Sequence, residues 1–418
     1  MAERGQDMKL GLIGHPLSHS WSPQIHKFFL GEPYELINLE PEELESFLKK
    51  RDFDGVNVTI PYKTAVMPYL DEIDPAASEI GAVNCIVNRD GRLKGYNTDY
   101  LGFRDMLVQA GIEVNGKQTA VLGSGGASKA VARALRDLGG NVSVVSRTPH
   151  DDLIGYDDLY QGSFEVIVNT TPLGMFPQID DMPADLHRLQ GVKTVIDIIA
   201  NPVRSALLFT AGMMGCRTLG GLEMLVRQAF AADELFTGRT LDRDMIGPCI
   251  RMLKQQKQNI VLIGMPTSGK TTLGALLSEA TGKKLVEMDE LTAERMGMSI
   301  PRAFAQHGEA WFREAERRTV GEVSLYEHSV ISCGGGVIKN PDNMKNLGAN
   351  GVIVWLDRRP DLLYGSNDRP LSPDYDSVLK LYRERYGLYE SFADIRITNN
   401  DTIEDCLQRI MEQTGENG

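Results

Sequence analysis

The segment GMPTSGKT, residues 264–271, constrains the fold more than any other feature of the chain. It follows an apolar run, NIVLI (259–263), and precedes a helical pattern, TTLGALLSEATG. A strand, a loop of this form and a helix in that order make a P-loop, whose backbone N–H groups surround phosphates. Parallel strands are joined by such helical crossovers, so the segment predicts a parallel α/β sheet that binds a nucleotide.

A second glycine turn lies earlier, where the apolar run TAVLG leads into Gly123–Ser128 and a helical pattern precedes the run NVSVV. This order is typical of a dinucleotide-binding βαβ unit, although tight turns also use clustered glycines. The second run ends in Ser146, Arg147 and Thr148, where an NAD-binding unit carries an acidic residue. Arginine and hydroxyl groups suit a 2′-phosphate, so we predict NADP(H); the alternative for Arg147 is a solvated loop charge.

The chain has 418 residues, more than one hydrophobic core usually holds. A polar stretch containing QQKQ separates two series of alternating strand and helix patterns, and we place the boundary near residue 257. The predicted fold class is α/β throughout. The predicted parts are a first region, 1–257, with an α/β substrate lobe (8–105 and about 222–250) and a Rossmann-like NADP lobe (106–221), then a P-loop domain with a parallel sheet (258–412) and a polar tail (413–418).

The amino-acid composition limits which molecules the chain is expected to bind. The formal net charge is −13 and no compact Lys/Arg run offsets it, which argues against nucleic acid and anionic membranes as partners. The five cysteines lack paired spacing, and the seven histidines lack metal-ligand spacing, so we expect reduced thiols and no protein-bound transition metal. With no long apolar stretch and no signal-like N-terminus, we expect a cytoplasmic protein that acts on small molecules. The oligomeric state is left open.

Polar residues cluster after several apolar runs of the first region. Ser20 and Ser22 lie before a helical pattern, and their hydroxyls can bind a carboxylate or simply cap the helix. Further polar sets are Asn57 to Lys63, Asn84, and Asn97 to Asp99. Because α/β enzymes place their chemistry at strand ends, these sets are candidates for one active site.

Together with the glycine turn and the segment GLEMLVRQ (221–228), these motifs resemble the shikimate dehydrogenase family over residues 8 to about 250. The resemblance implies that Lys63 and Asp99 form the catalytic pair, and a lysine held by a carboxylate can protonate the alkoxide that hydride transfer creates. The alternative is an ordinary surface ion pair. The resemblance assigns the substrate to Ser20, Ser22, Asn57, Thr59, Lys63, Asn84, Asp99 and Gln228, and the cofactor to Gly123, Ser124, Gly125, Gly126, Ala127, Ser146, Arg147, Thr148 and Gly221.

One position departs from that family. Its members usually carry a tyrosine in a DxxYxP segment, and this chain has Ala200 within Asp197–Pro202. A missing hydroxyl typically costs about 0.5 to 1.5 kcal/mol of binding, so affinity and substrate choice are affected. Two alternatives follow: a non-catalytic, shikimate-binding regulatory module, or a dehydrogenase that acts on quinate.

The C-terminal region is similar to shikimate kinases over residues 259 to about 412. The similarity rests on the P-loop, Glu287–Asp289, the segment from Phe304 to Glu316, Cys333–Gly336, and the later motifs DRPL (368–371) and RYGLY (385–389). It implies that shikimate is bound by Asp289, Arg313, Gly335 and Arg385, that Asp289, Lys270 and Arg369 are catalytic, and that the nucleotide is bound by Gly264, Thr267, Ser268, Gly269, Lys270, Thr271, Thr272 and Arg369.

Thr271 would also hold Mg²⁺ together with ATP. Two arginines suit bidentate recognition of a carboxylate, although Arg313 could instead pair locally with Glu316, and Arg385 could be a solvated helix charge. Two positions depart from the family: Glu287 replaces an aspartate, and residues 362–364 lack an arginine that often flanks adenine.

Both regions therefore point to the same small carboxylated polyol. We predict an enzyme that reduces 3-dehydroshikimate with NADPH and then phosphorylates shikimate with ATP.

Overall fold

The computed structural model describes residues 8–17, 20–363 and 374–416. By its internal contacts the chain divides into two compact units. The first unit consists of residues 1–173, 182–200 and 214–250, and the second of residues 174–181, 201–213 and 251–418.

The first sheet of the first unit runs in the order β2-β1-β3-β5-β6-β4. Its pairs β2-β1, β1-β3 and β6-β4 are parallel, whereas β3-β5 and β5-β6 are antiparallel. Asp90 and Gly91, both with positive φ, make the tight turn of the β5-β6 hairpin. The elements are β1 (Leu10–Gly14), α1 (Ser22–Leu30), β2 (Tyr34–Asn38), α2 (Leu44–Lys50), β3 (Gly55–Val58), β4 (Glu72–Ile73), α3 (Pro75–Ile80), β5 (Cys85–Arg89), β6 (Arg92–Tyr96) and α4 (Thr98–Gln109).

The second sheet is parallel throughout and runs in the order β12-β11-β10-β7-β8-β9. Strands β10 and β11 are buried along their whole length, as expected for strands with helices on both faces. The elements are β7 (Gln118–Leu122), α5 (Gly126–Asp137), β8 (Asn141–Val145), β9 (Leu153–Ile154), α6 (Tyr156–Gln161), β10 (Val166–Asn169), β11 (Thr194–Asp197), α7 (Ala206–Met213), β12 (Arg217–Gly220), α8 (Gly221–Thr237) and α9 (Ile246–Lys257).

The sheet of the second unit is also parallel and runs in the order β14-β15-β13-β16-β17. Separate apolar clusters cover its two faces, one around Trp355 and Tyr389 and one around Leu273 and Leu277. The elements are β13 (Asn259–Ile263), α10 (Lys270–Thr281), β14 (Lys284–Glu287), α11 (Met288–Met296), α12 (Ile300–Val323, interrupted at Gly308), β15 (Ser329–Ser332), α13 (Pro341–Leu347), β16 (Gly351–Asp357), α14 (Tyr375–Phe392), β17 (Ile395–Thr398) and α15 (Ile403–Thr414).

Two segments of the N-terminal part of the chain, 174–181 and 201–213, belong to the second unit. Arg204 forms a bidentate ion pair with Asp394 at 2.7 and 3.1 Å, and the buried ring of Phe209 stacks on Phe392. The sequence-based division assigned both segments to the NADP lobe, whereas their contacts lie in the second unit. Helix α9 spans the division between Ile250 and Arg251.

The structure confirms the predicted α/β fold class, with parallel strand pairs dominating all three sheets. None of the described helices combines the length and apolarity that crossing a bilayer requires.

Gly102 sets the distance between α4 and α8. A Cβ atom at this position would lie 2.6 Å from the backbone nitrogen of Gln228 and 2.9 Å from its Cα. We therefore expect Gly102→Ala to lower the free energy of unfolding of the first unit by about 1 to 3 kcal/mol through overpacking. Denaturant unfolding measures this change.

Gly321→Ala is the matched control, since Gly321 also lies within a helix and a Cβ there meets nothing within 4 Å. That variant should gain about 0.5 to 1 kcal/mol from the better helix propensity of alanine. Equal effects of the two substitutions would contradict the packing argument.

Candidate active sites

The polar side chains predicted at the strand ends of the first unit line one cavity of about 260 Å³. The edge of the sheet explains this, because the carboxyl ends of β1 and β3 lie beside the start of β5 and the end of β6. The cavity contains every residue predicted to bind the first substrate, namely Ser20, Ser22, Asn57, Thr59, Lys63, Asn84, Asp99 and Gln228.

Lys63 and Asp99 form an ion pair within this cavity. Lys63 Nζ donates to Asp99 Oδ2 at 2.5 Å, and the two side chains are only 20% and 13% exposed. Asp99 lies in the first turn of α4, where the helix dipole favours a carboxylate, and Asn97 caps that turn by accepting from Tyr100 N–H. The pair is therefore held at the cavity wall, unlike an ordinary surface ion pair.

The serines lie both at the start of α1 and in the cavity wall. Ser20 Oγ accepts from the N–H of Ser22 at 3.1 Å, at the start of α1, and both serines also line the cavity. Ser18 and His19 of the same motif lie outside the described residues.

Three amide side chains form much of the remaining polar wall: Asn57, Asn84 and Gln228. Two residues that sequence reasoning did not select lie directly behind them. Tyr34 OH donates to Asn57 Oδ1 at 2.8 Å, and Thr98 contacts both Asn84 and Gln228. Thr98 stood inside the quoted Asn97–Asp99 motif, whereas no local signal marked Tyr34.

A buried histidine–aspartate pair supports Tyr34. His26 Nδ1 lies 2.5 Å from Asp233 Oδ1, and both side chains are almost fully buried. The His26 ring stacks on the Tyr34 ring at a centroid distance of 4.0 Å. Burial raises the pKa of Asp233, and the neighbouring His26 opposes that shift.

Ala200 lines the cavity beside Ile198, Met224 and Leu225, so this part of the wall is apolar. Gly221 also lines it, at the start of α8, and a Cβ there would collide with the carbonyl oxygen of Ile198. Only glycine fits at that position.

The predicted dinucleotide loop follows β7. Gly123 has φ of +103°, which favours glycine, and a Cβ at Gly125 would meet nothing within 4 Å. Gly125 caps α5 without a side-chain hydrogen bond, so the first N–H groups of this helix are available to a phosphate. These features fit a pyrophosphate group.

The end of β8 fits the predicted 2′-phosphate site. Ser146 Oγ accepts from the N–H of Thr148 at 3.2 Å and lies 3.4 Å from Ser124 Oγ, while Arg147 is exposed. The loop also approaches the first cavity, because Ala127 lines it and a Cβ at Gly126 would lie 3.9 Å from Lys63 Cδ.

The second unit contains a larger cavity, about 750 Å³, at the carboxyl edge of its sheet. The P-loop forms one side, with φ of +64° at Thr267 and +97° at Gly269. Lys270 Nζ donates to the carbonyl oxygens of Gly264 and Met265 at 3.0 and 2.9 Å. Lining residues from the predicted nucleotide set are Thr267, Gly269, Lys270, Thr271 and Thr272.

Gly264 and Ser268 belong to the P-loop without lining this cavity. A Cβ at Gly264 would lie 2.7 Å from the carbonyl oxygen of Leu356, and Ser268 is fully buried. Arg369, predicted to be catalytic and to bind the nucleotide, lies outside the described residues.

A glycine run, Gly334–Gly336, lets three elements meet at the opposite side of the cavity. A Cβ at Gly334 would collide with Asp289 Oδ1, one at Gly336 would collide with the Arg313 guanidinium, and one at Gly335 would lie 3.0 Å from Pro266. The run therefore brings Asp289 and Arg313 close to the P-loop.

Both predicted arginines line the cavity, and each also makes a structural contact. Arg313 pairs with Glu316 at 2.9 Å and with Glu309 at 3.1 Å, so the local pair considered from the sequence exists within the site. Arg385 is buried and donates to the carbonyl oxygen of Gly335 at 2.8 Å. Burial raises the pKa of Glu316, and Arg313 opposes that shift.

Thr271 and Glu287 supply oxygen atoms of the kind that Mg²⁺ prefers. Thr271 Oγ1 lies 3.4 Å from Glu287 Oε2. Burial raises the pKa of Glu287, while hydrogen bonds from Ser332 and Thr271 lower it. A divalent cation bound with nucleotide phosphates would favour the ionised carboxylate, so this pair fits the predicted magnesium position.

Sequence reasoning missed Asn399, whose side chain is buried and donates to the carbonyl oxygen of Ser268 at 2.6 Å. It also missed Arg358, which lines the cavity. Tyr389 stood inside the quoted RYGLY motif without an assigned role, and its hydroxyl donates to the Gly335 carbonyl at 2.6 Å. Asn399 contacts Ser268 from 131 residues away, so no local motif identified it.

Two family models match this chain. The model described as "Shikimate dehydrogenase substrate binding domain" matches residues 12–86, and the model described as "Shikimate kinase" matches residues 266–414.

Relatives of the N-terminal part are similar over most of their own length. The shikimate dehydrogenase (NADP(+)) of Moorella thermoacetica is 39% identical over 259 residues, which cover 55% of this chain and 88% of the relative. The enzyme of the same name from Clostridium beijerinckii is 40% identical over 253 residues, which cover 56% of this chain and 94% of the relative.

Solved structures agree. Shikimate 5-dehydrogenase from Thermus thermophilus, in complex with NADP(H) and shikimate, is 33% identical, with a TM-score of 0.54 over 59% of this chain and 99% of that one. A chorismate mutase/shikimate 5-dehydrogenase fusion protein from Clostridium acetobutylicum is 35% identical, with a TM-score of 0.58 over 60% of this chain and 98% of that one.

Asn399 is expected to stabilise the P-loop through its hydrogen bond to Ser268. Asn399→Ala removes the donor to the Ser268 carbonyl and leaves that buried oxygen unpaired, which typically costs about 1 to 3 kcal/mol. If half of this free energy destabilises the P-loop conformation that binds the nucleotide, the Kd for ATP rises about 3- to 10-fold. Calorimetry measures this Kd.

Asn400→Ala is the matched control, because the neighbouring Asn400 only accepts from the N–H of Arg359. Its affinity for ATP should equal that of the unsubstituted protein. An unchanged affinity in Asn399→Ala would contradict the proposed support of the loop.

Proposed function

Because the chain belongs to the shikimate dehydrogenase family and carries a shikimate kinase domain, we propose that it is a bifunctional enzyme of the shikimate pathway. It reduces 3-dehydroshikimate to shikimate with NADPH and phosphorylates shikimate with ATP. The observation that carries the proposal is the Lys63–Asp99 pair, 2.5 Å apart in a cavity that a dinucleotide loop approaches. The second cavity combines a P-loop with two arginines and an aspartate.

In the first reaction NADPH supplies the hydride. Lys63 gives a proton to the ketone oxygen as negative charge develops there, and general acids of this kind contribute about 10² to 10⁴ in rate. Asp99 keeps the Lys63 ammonium at the cavity wall by its ion pair. Ser20, Ser22 and Thr59 offer hydroxyl donors for the carboxylate and hydroxyls of the substrate.

In the second reaction Asp289 orients the acceptor hydroxyl and takes its proton, while Arg313 and Arg385 hold the carboxylate of shikimate. Lys270 neutralises charge on the transferred phosphoryl group. Thr271 and Glu287 would hold Mg²⁺, which would stabilise negative charge on the phosphates. The glycine run lets the substrate approach the P-loop closely.

We assign the two reactions to residues 1–257 and 258–412 respectively. The substrates are small anionic molecules, and in a chain of net charge −13 local cations such as Lys63, Arg313 and Arg385 favour their binding. All five cysteines are free, as expected for a cytoplasmic location.

The two activities should be separable by single substitutions. Lys63→Ala should lower the rate of shikimate oxidation by NADP⁺ by about 10² or more and leave phosphorylation unchanged. Lys270→Ala should lower phosphorylation by a similar factor and leave oxidation unchanged. NADPH absorbance and coupled ADP release measure the two rates.

In each variant the activity that is retained shows that the protein is folded. Oxidation that persists at the full rate in Lys63→Ala would contradict the assigned proton donor. Loss of both activities in either variant would point to unfolding, which circular dichroism would detect.

The preference for NADP⁺ over NAD⁺ tests whether Arg147 binds the 2′-phosphate. Arg147→Ala should weaken the binding of NADP⁺ by about 10-fold or more, since an ionic hydrogen bond is worth about 1.5 to 3 kcal/mol. NAD⁺ is the internal control, because it lacks the 2′-phosphate and should bind the variant unchanged. An equal effect on both cofactors would contradict the assignment of Arg147 to that phosphate.

A further inference from the structure

The side-chain amides of Asn57, Asn84 and Gln228 are each held in one orientation. In each case the contacting backbone group can serve only as a hydrogen-bond acceptor or only as a donor. The carbonyl oxygen of Asn84 can only accept, and it lies 3.3 Å from Asn57 Nδ2. The carbonyl oxygen of Leu225 lies 2.9 Å from Gln228 Nε2. Both contacts require the NH₂ group of the amide on that side.

Asn84 is fixed from its other end. The backbone N–H of Thr98 can only donate, and it lies 2.6 Å from Asn84 Oδ1. The oxygen of Asn84 therefore faces Thr98, and its NH₂ group contacts Thr98 Oγ1 at 3.1 Å. All three side chains are buried apart from the edge that lines the cavity, so the protein contacts that orient them are kept from bulk water.

With these orientations, every amide oxygen already has a protein donor. Tyr34 OH donates to Asn57 Oδ1 at 2.8 Å. The Thr98 hydroxyl lies 3.2 Å from both Gln228 Oε1 and Asn84 Oδ1, and we assign its hydrogen to Gln228 because Asn84 Oδ1 already accepts from the N–H of Thr98. One N–H of each amide is also used, by Asn84 O, Thr98 Oγ1 and Leu225 O respectively. Because an NH₂ group has two hydrogens, one N–H of each amide is left for a ligand.

Tyr34 and Thr98 do not line the cavity themselves. Both are buried, and Tyr34 is additionally held by the stacked His26 ring, which Asp233 orients. Neither hydroxyl is placed to touch a ligand, so an effect of either on recognition must pass through the amides.

We infer that Tyr34 and Thr98 are positioning residues that keep Asn57, Asn84 and Gln228 as hydrogen-bond donors, so that this wall recognises a ligand by its acceptor oxygens. The inference rests on the proposed dehydrogenase function. A ring hydroxyl accepts from the amides and gives its own hydrogen to Asp99 or to a serine or threonine oxygen. An ammonium group in place of that hydroxyl offers no acceptor to these N–H groups, so it binds this wall more weakly than the hydroxyl does.

The first arm of the test uses substitutions that remove only the hydroxyls. In shikimate oxidation by NADP⁺ without ATP, Tyr34→Phe and Thr98→Val should each raise KM for shikimate about 3- to 10-fold. KM for NADP⁺ should stay constant and kcat should change less than KM. Thr98→Ser, which keeps the hydroxyl, should restore KM to near the original value.

Matched controls remove a hydroxyl elsewhere in the same unit. Tyr160 OH accepts from the N–H of Asp185 at 3.1 Å, and Thr119 Oγ1 donates to the carbonyl oxygen of Lys117 at 3.4 Å. Tyr160→Phe and Thr119→Val should change the unfolding midpoint without changing KM for shikimate.

The second arm measures recognition directly with aminoshikimates, in which one ring hydroxyl is replaced by an amino group. The ratio of kcat/KM for shikimate to that for the analogue should fall about 3- to 10-fold in Tyr34→Phe or Thr98→Val, because an amide oxygen loses its donor and can accept from the ammonium. Repulsion by Lys63 is common to all variants and cancels in this comparison.

An unchanged ratio together with control-like KM values, in a protein that oxidises shikimate normally, would overturn the inference and leave the proposed function intact. KM that stays raised in Thr98→Ser would likewise overturn the role of the Thr98 hydroxyl. Absence of shikimate oxidation in the unsubstituted protein would overturn the proposed function, and this inference with it.

Discussion

The edges of the sheets determine where polar chemistry is possible in this molecule. Strands such as β1, β10 and β13 are buried along their whole length, so their interiors accept only apolar side chains. Polar groups are displaced to the strand ends, where loops can hydrogen-bond them. In the first sheet the antiparallel pairing of β3, β5 and β6 turns Asn84 and Asp99 toward the edge at which β3 ends.

Close backbone approach is the second constraint, and glycine makes it possible. Gly102 lets α4 and α8 approach, which sets Gln228 opposite Thr98. The run Gly334–Gly336 admits Asp289, Pro266 and Arg313 to one point of the second unit. In both units the arrangement of the site residues therefore depends on glycine, because a Cβ atom at these positions would force the contacting groups apart.

Local patterns predicted the fold class and the P-loop, because strand-end motifs carry their own context in the neighbouring residues. The resemblance to the shikimate dehydrogenase family selected the eight polar residues that line the first cavity. The supporting residues were not predictable in this way. Tyr34 meets Asn57 only through the register of β2, β1 and β3, and Asn399 meets Ser268 from 131 residues away. The segment 201–213 reads as part of the NADP lobe, yet Arg204 and Phe209 find their partners in the second unit.

The central claim is that one polypeptide carries out two consecutive reactions on the same ring. The most direct test supplies purified protein with 3-dehydroshikimate, NADPH, ATP and Mg²⁺, and follows all products by mass spectrometry. A bifunctional enzyme would give equal final amounts of NADP⁺, ADP and a phosphorylated, reduced product, with shikimate as a transient. Shikimate that accumulates without phosphorylation, or 3-dehydroshikimate that persists while NADPH is unchanged, would contradict the central claim.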